Sequence, residues 1–360
     1  MSRILSIQVC RGIAAMLVVL AHLEGFESNY CRTRWMAPFH AGVLGVDLFF
    51  VISGIVIASV TTGKFGDIRN AGRFLVRRFT RIYPAYWVYS SIVLVAYLYN
   101  PIWINADSGH HVEIVRSFLL IPSHYQMLLL QGWTLSFEIY FYLVVGVLLL
   151  APFRAASLCM CGWGLAAMLY SAHAPVNGPV LAVLTNPLIL EFLAGYAIYY
   201  LHLKISLSRR TACALMIASL FWLALVLRGV VVIAPESPFG RPLRYGMFAA
   251  VALFAALQLE KRGVTHYPKF AEKVGDWSYS IYLSHTLVVG AVGRLTVRLF
   301  PGHPSAILLV DAVSLPAVLA VGYLSFTHLE KRFLSRRSRR KPSIAVSTIS
   351  SADPVIAAVE

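Results

Sequence analysis

The chain has 360 residues, of which 58% are hydrophobic and only 13% are charged. A soluble globular domain places about a quarter of its residues on charge, so this composition excludes an ordinary soluble protein and indicates an integral membrane protein. The formal net charge of +15 would suggest nucleic-acid binding in a soluble chain, but here it must first be tested against membrane topology.

Hydropathy predicts ten apolar segments of membrane-spanning length. If the amino terminus is cytoplasmic, most lysines and arginines fall on the cytoplasmic side, so the basic excess is explained without nucleic acid. We therefore predict an all-α polytopic protein with both termini in the cytoplasm. A transmembrane domain over 1–334 precedes a flexible basic tail over 335–360, whose charges would contact membrane lipids. The predicted spans are 7–23, 43–61, 83–99, 133–151, 156–171, 180–201, 211–229, 243–259, 277–297 and 306–329.

The first span carries two ionisable side chains, Arg11 and His22, where a membrane helix normally carries none. Their spacing puts them on one helix face, about 20° apart in direction and roughly 16 Å apart in height. Such a pair is typical of polar side chains that act together along a path through the membrane. The alternative is an arginine that reaches the cytoplasmic surface and a histidine at the outer interface.

Two acidic residues enter the outer half of the membrane on other spans. Asp47 lies in the sequence GVDLFFVISG at 45–54, and Glu138 lies roughly 8 Å into the fourth span. A carboxylate at this depth needs a partner, so we expect Asp47 or Glu138 to orient His22. A polar contact between packed helices is the alternative for Asp47. A histidine with acidic partners is typical both of a general base and of a proton relay. Two functions therefore remain open: an acyl-transfer enzyme, and a proton-coupled exporter of a glycan precursor or organic acid.

The loop before the third span carries an arginine cluster in the sequence RRFTRIYPAYW at 77–87. Arg78 and Arg81 are three residues apart at a predicted helix start, so they project side by side, with Arg77 adjacent. Paired guanidiniums are suited to binding phosphate. The same charges could also serve topology alone.

The ninth span adds a polar stretch, SYSIYLSH at 278–285, near the membrane midplane. His285 is either a hydrogen-bonded structural histidine or a working one. The five cysteines have no metal-site spacing, and we expect no metal. The sequence also has no nucleotide-binding loop and no nucleophile elbow.

Taken in order, five blocks resemble the membrane-bound acyltransferase 3 family, which includes bacterial exopolysaccharide and O-antigen acetyltransferases and the Nod-factor acylase. The resemblance extends from about Ser6 to Phe333. The chain departs from the family pattern at Cys10, Leu287 and 330–332, where the family often has leucine, proline and Glu-Lys-Pro, and these departures leave the acceptor open. The blocks are the Arg11 to His22 pair, GVDLFFVISG at 45–54, RRFTRIYPAYW at 77–87, WTLSFEIYFY at 133–142 and SYSIYLSH at 278–285.

The resemblance implies a transferase of the bacterial inner membrane. Its donor would be acyl-CoA, with acetyl as the expected group, and its acceptor a hydroxyl of an extracytoplasmic or lipid-linked saccharide. Arg11, Arg77, Arg78 and Arg81 would bind the CoA, whose pantetheine arm is comparable in length with the rise from Arg11 to His22.

In the implied chemistry, His22 deprotonates the acceptor hydroxyl while Asp47 or Glu138 orients the imidazole. Direct attack on the thioester is favoured over a covalent acyl-histidine. Polarisation of the thioester carbonyl needs a hydrogen-bond donor, which the sequence does not identify. The residues expected to support the site, the first three as possible carbonyl donors, are Trp133, Ser136, Tyr282, Ser53 and His285.

Overall fold

The computed structural model describes residues 4–27, 36–104, 109–173, 178–234, 237–300 and 306–333, and the predicted tail lies outside them. Within these ranges the regular structure is entirely helical. A 3₁₀ turn over Ala37–Val43 leads into α2, and π-helical turns over Pro242–Gly246 and Phe326–Glu330 adjoin α10 and α12. The helices are α1 (Leu5–Phe26), α2 (Leu44–Thr61), α3 (Ile68–Tyr99), α4 (Ile114–Leu119), α5 (Gly132–Leu148), α6 (Phe153–His173), α7 (Pro179–Leu184), α8 (Ile189–Lys204), α9 (Arg209–Leu227), α10 (Met247–Lys261), α11 (Lys269–Leu299) and α12 (Ala306–Ser325).

The helices confirm the polytopic all-α prediction. Nine helical segments of the described residues are long and apolar enough to cross a membrane, and α5 is a shorter apolar helix of 17 residues. Together they correspond to the ten predicted spans. Two helices begin more than a turn before their predicted spans: α3 starts at Ile68 and continues through Pro84, and α11 starts at Lys269. Their first turns are polar, so hydropathy alone does not include them.

The ends of the helices group as an alternating topology requires. The Gly66 N–H after α2 donates to the carbonyl of Leu149 after α5, at 2.8 Å. The Glu260 carboxylate at the end of α10 accepts from the N–H groups of Leu5 and Ser6 at 2.9 and 2.8 Å. This carboxylate also stabilises the positive end of the α1 dipole. We call this side of the bundle, which carries the charges predicted to be cytoplasmic, the inner end.

Glycines allow the helices that carry the site to approach closely. A Cβ atom at Gly54 would lie 2.0 Å from the carbonyl oxygen of Phe192, and one at Gly195 would lie 2.0 Å from that of Val51. Both positions therefore require glycine for α2 and α8 to pack at this distance. Gly275 similarly lets α11 contact the backbone of α1. These contacts set the positions of the side chains described next.

Candidate active site

A cavity lies between α1, α2, α3, α5 and α11 on the side of the inner end. Its polar lining includes Arg11, Arg78, Arg81, Glu138 and Ser53, so the structure brings together five residues that the sequence singled out. The empty space, including the open mouth, is about 740 Å³. Three guanidiniums against one carboxylate leave the lining net positive, which suits an anionic ligand.

Arg78 is held in this cavity by aromatic rings. Its guanidinium carbon lies 5.8 Å from the ring centroid of Phe74 and 5.7 Å from that of Tyr142. Both distances are within the range of a cation–π contact. The Arg78 Nε is buried and has no hydrogen-bond partner in the described part of the chain. A buried donor without a partner costs about 1 to 3 kcal/mol, so Arg78 is placed to gain from binding an anion.

Glu138 belongs to the same inner cavity. Its Oε1 accepts hydrogen bonds from the Ser53 hydroxyl at 3.1 Å and from the Tyr142 hydroxyl. It also lies within electrostatic range of Arg11 and Arg78. This arrangement differs from the expected contact with the imidazole. Helical rise gives only a distance along one helix, and it does not specify which neighbouring helix the carboxylate faces.

His22 lies beyond the inner cavity, between two further cavities. The first, which we call the middle cavity, shares the wall residues Val46 and Tyr282 with the inner cavity. The second, the outer cavity, is lined by His22 together with Glu24 and His40. The three cavities therefore adjoin in a line. It begins at the arginines of the inner cavity, passes Tyr282 and His22, and ends in the outer cavity.

The hydrogen bonds of the two histidines define which ring nitrogens are basic. The His22 Nδ1 lies 2.9 Å from the Val18 carbonyl oxygen, and the His285 Nδ1 lies 2.7 Å from that of Tyr282. A carbonyl only accepts, so each Nδ1 must carry the hydrogen and each Nε2 keeps a lone pair. The rings meet edge to face, with centroids 4.8 Å apart. His22 thus has the unprotonated nitrogen that a general base requires.

Asp47 is fully buried and forms an ion pair with an arginine. The Arg241 Nε donates to Oδ1 and its Nη2 donates to Oδ2, each at 3.0 Å, so the pair is bidentate. Glu191 on α8 is also buried, within electrostatic range of this carboxylate. The expected pairing of Asp47 with His22 is replaced by this ion pair, because Arg241 supplies a full charge and a matching fork.

The three candidate carbonyl donors differ in what their hydrogens already contact. The Ser136 hydroxyl donates to a backbone carbonyl at 2.9 Å. The Thr134 hydroxyl donates to another backbone carbonyl at 2.9 Å, so its oxygen accepts from the Tyr282 hydroxyl at 2.5 Å. The indole of Trp133 lines the middle cavity together with His22. Trp133 is therefore the candidate that lies beside His22 without a hydrogen bond from its indole N–H to another described residue.

Sequence reasoning missed Arg241 and Gln131. The side-chain amide of Gln131 donates to the Thr286 hydroxyl at 2.8 Å and lies 3.5 Å from the ring nitrogens of His285. Arg241 lies between the predicted spans 211–229 and 243–259, a few residues before the apolar run of α10. A charge adjoining an apolar span, or a glutamine adjoining the block at 133–142, is the signal that could have identified them.

Known proteins match this sequence over nearly the whole chain. The family profile described as "Acyltransferase domain" matches residues 4–327. The chain is similar to the exopolysaccharide production protein ExoZ of Rhizobium meliloti (strain 1021), with 30% identity over 315 residues, 84% of this chain and 93% of that protein. It is also similar to the peptidoglycan O-acetyltransferase OatA of Listeria monocytogenes, with 23% identity over 360 residues, 89% of this chain and 54% of that protein. No solved structure matches the chain.

Proposed function

Since the chain belongs to the acyltransferase 3 family, whose profile covers residues 4–327, we propose that it transfers an acyl group from cytosolic acyl-CoA to a hydroxyl of a saccharide. The names of its relatives, an O-acetyltransferase and an exopolysaccharide production protein, support acetyl as the group and a glycan as the acceptor. The enzyme is a multi-pass membrane protein, and we place it in the bacterial inner membrane with an extracytoplasmic or lipid-linked acceptor.

One observation carries this proposal: an arginine-lined cavity adjoins a histidine with a free basic nitrogen. Arg11, Arg78 and Arg81 line the inner cavity, and Tyr282 forms part of the wall between it and the middle cavity at His22. The phosphates of CoA are anionic and cytosolic, so they fit the arginines at the inner end. The thioester would then extend past Tyr282 toward the imidazole.

The outer cavity supplies the opposite approach for the acceptor. The buried Glu24 carboxylate accepts a hydrogen bond from the His40 Nδ1 at 3.1 Å, and both residues line this cavity with His22. These polar groups suit the hydroxyls of a saccharide. The base therefore stands between a donor that enters from inside and an acceptor that enters from outside.

The reaction follows from these positions. The His22 Nε2 removes the proton from the acceptor hydroxyl, and the oxygen attacks the thioester carbonyl carbon. The tetrahedral intermediate collapses by breaking the carbon–sulfur bond. The imidazolium of His22 returns its proton to the sulfur, so the products are an ester and free CoA. Because attack is direct, no acyl group is attached to the enzyme.

Stabilisation of the oxyanion is assigned to Trp133 with support from Arg241. Trp133 lines the cavity at His22, and the Arg241 guanidinium carbon lies 5.8 Å from its ring centroid. The hydroxyl hydrogens of Ser136 and Tyr282 already have acceptors. An N–H group and a nearby positive charge are the kind of groups that stabilise developing negative charge.

The test is direct acyl transfer by purified protein in nanodiscs. Release of free CoA from acetyl-CoA should depend on an added cell-envelope saccharide, and mass spectrometry should detect the acetyl ester on that saccharide. A proton-coupled exporter would instead move its substrate across a vesicle membrane without releasing CoA. Mass spectrometry of surface glycans from a deletion strain would then identify the acceptor. Absence of CoA release with all envelope fractions would overturn the proposal.

A further inference from the structure

A second polar space at the inner end is lined by four basic side chains, and we call it the basic cleft. Lys64 follows α2, while Arg73, Arg77 and Arg78 lie on α3. The other lining residues that the structure describes are uncharged, so the positive charge has no acidic counterpart within the cleft wall. They are Val60, Thr61, Asn70, Phe74 and Leu149.

The basic side chains repel one another as they are arranged. Arg73 and Arg77 are four residues apart on one helix, a spacing at which like charges destabilise a helix. Burial, reinforced by the charges of Arg77, Arg78 and Arg73, lowers the pKa of Lys64. The Lys64 Nζ donates to the Val60 carbonyl oxygen at 2.5 Å, which uses only one of its three hydrogens. The cleft is therefore a region of unbalanced positive potential, and the Lys64 ammonium keeps N–H groups that can donate to a ligand.

Membrane topology does not explain this convergence. The positive-inside rule is satisfied by a basic residue anywhere on a cytoplasmic segment. Arg69 on the same helix meets that requirement while it is exposed outside the cleft lining. The gathering of four cations around one cleft instead favours binding of an anion with more than one charge.

The basic cleft adjoins the inner cavity at Arg78, which lines both. An acyl-CoA has its thioester at one end and a 3′-phosphate on the ribose at the other, with the diphosphate between. If the thioester arm occupies the inner cavity, the nucleotide end must lie toward its mouth. Because the basic cleft adjoins the inner cavity, the most highly charged part of the donor would lie at the cleft.

We propose that Lys64, Arg73 and Arg77 bind the 3′-phosphate of CoA and make the enzyme selective for CoA over 3′-dephospho-CoA. This inference rests on the proposed function and names the group of the donor that the cleft recognises. Lysine and arginine both suit a terminal phosphate, which presents several acceptor oxygens and up to two negative charges.

The test compares two donors, acetyl-CoA and acetyl-3′-dephospho-CoA, with protein in nanodiscs of neutral phosphatidylcholine. The parent should show a KM for the dephospho donor that is about tenfold higher or more, the effect of losing hydrogen bonds to a charged group. Lys64→Ala and Arg73→Ala should each raise the KM for acetyl-CoA and bring the ratio of the two KM values toward one. Arg69→Ala is the matched control, because it removes an arginine from the same helix outside the cleft, and it should keep the parental ratio.

The comparison of donors tests the inference even if a variant folds poorly, since the parent alone must discriminate between them. Equal KM values for the two donors with the parent would overturn the assignment of the 3′-phosphate while leaving acyl transfer intact. Failure of the parent to use either donor would instead contradict the proposed function. A third arm adds phosphatidylglycerol to the nanodiscs. If both cleft variants lost binding of that lipid but kept the parental donor ratio, the cleft would be a lipid headgroup site and the inference would be wrong.

Discussion

Replacement of His22 by alanine tests whether His22 is the general base of the proposed reaction. A hydrogen bond from the His22 Nδ1 to the Val18 carbonyl oxygen, at 2.9 Å, orients the imidazole and leaves Nε2 as the proposed base. General base catalysis contributes about 10² to 10⁴-fold, which corresponds to roughly 3 to 5 kcal/mol of the activation free energy. We therefore expect His22→Ala to lower kcat by that factor. Donor binding should persist, because the site proposed for the phosphates is at the arginines of the inner end.

The assay measures CoA release under saturating donor, together with acetyl-CoA affinity by calorimetry. His173→Ala is the matched control: the His173 Nδ1 lies 3.0 Å from the carbonyl oxygen of Leu169, four residues earlier, but the side chain is exposed on α6. It therefore removes the same local contact away from the cavities and should keep parental turnover. A correctly inserted His22→Ala protein with parental kcat would refute His22 as the base. Loss of turnover in His285→Ala alone would move that role to His285.

Three further predictions concern the donor site and the packing. Arg78→Ala or Arg81→Ala should weaken acetyl-CoA binding by about 1 to 3 kcal/mol in calorimetry, with only partial rescue by lysine, which lacks the planar fork; parental affinity in both alanine variants would leave these arginines as topology signals. Asp47→Asn should lower the free energy of unfolding in detergent by about 3 kcal/mol, since it leaves a buried guanidinium without its anionic partner, and an unchanged denaturation midpoint would contradict the ion pair. Gly54→Ala should lower the melting temperature, because its Cβ would lie 2.0 Å from a carbonyl oxygen of α8, whereas Gly72→Ala, with no atom within 4 Å, should not.

The sequence by itself determined the features that depend on local order along the chain. Hydropathy located the ten apolar segments, and the positions of Arg11 and His22 on one helix predicted a polar line through the bundle. These expectations hold because apolar length, helical rise and helical face are properties of a single segment.

Only the tertiary structure decided which side chains meet across helices. Asp47 pairs with Arg241, 194 residues away, and Glu138 lies among the arginines instead of at His22. A helix can rotate about its own axis without changing its hydropathy, so depth in the membrane does not specify the neighbour that a carboxylate faces. That rotation is set by close contacts between distant segments, as where Gly54 packs against α8.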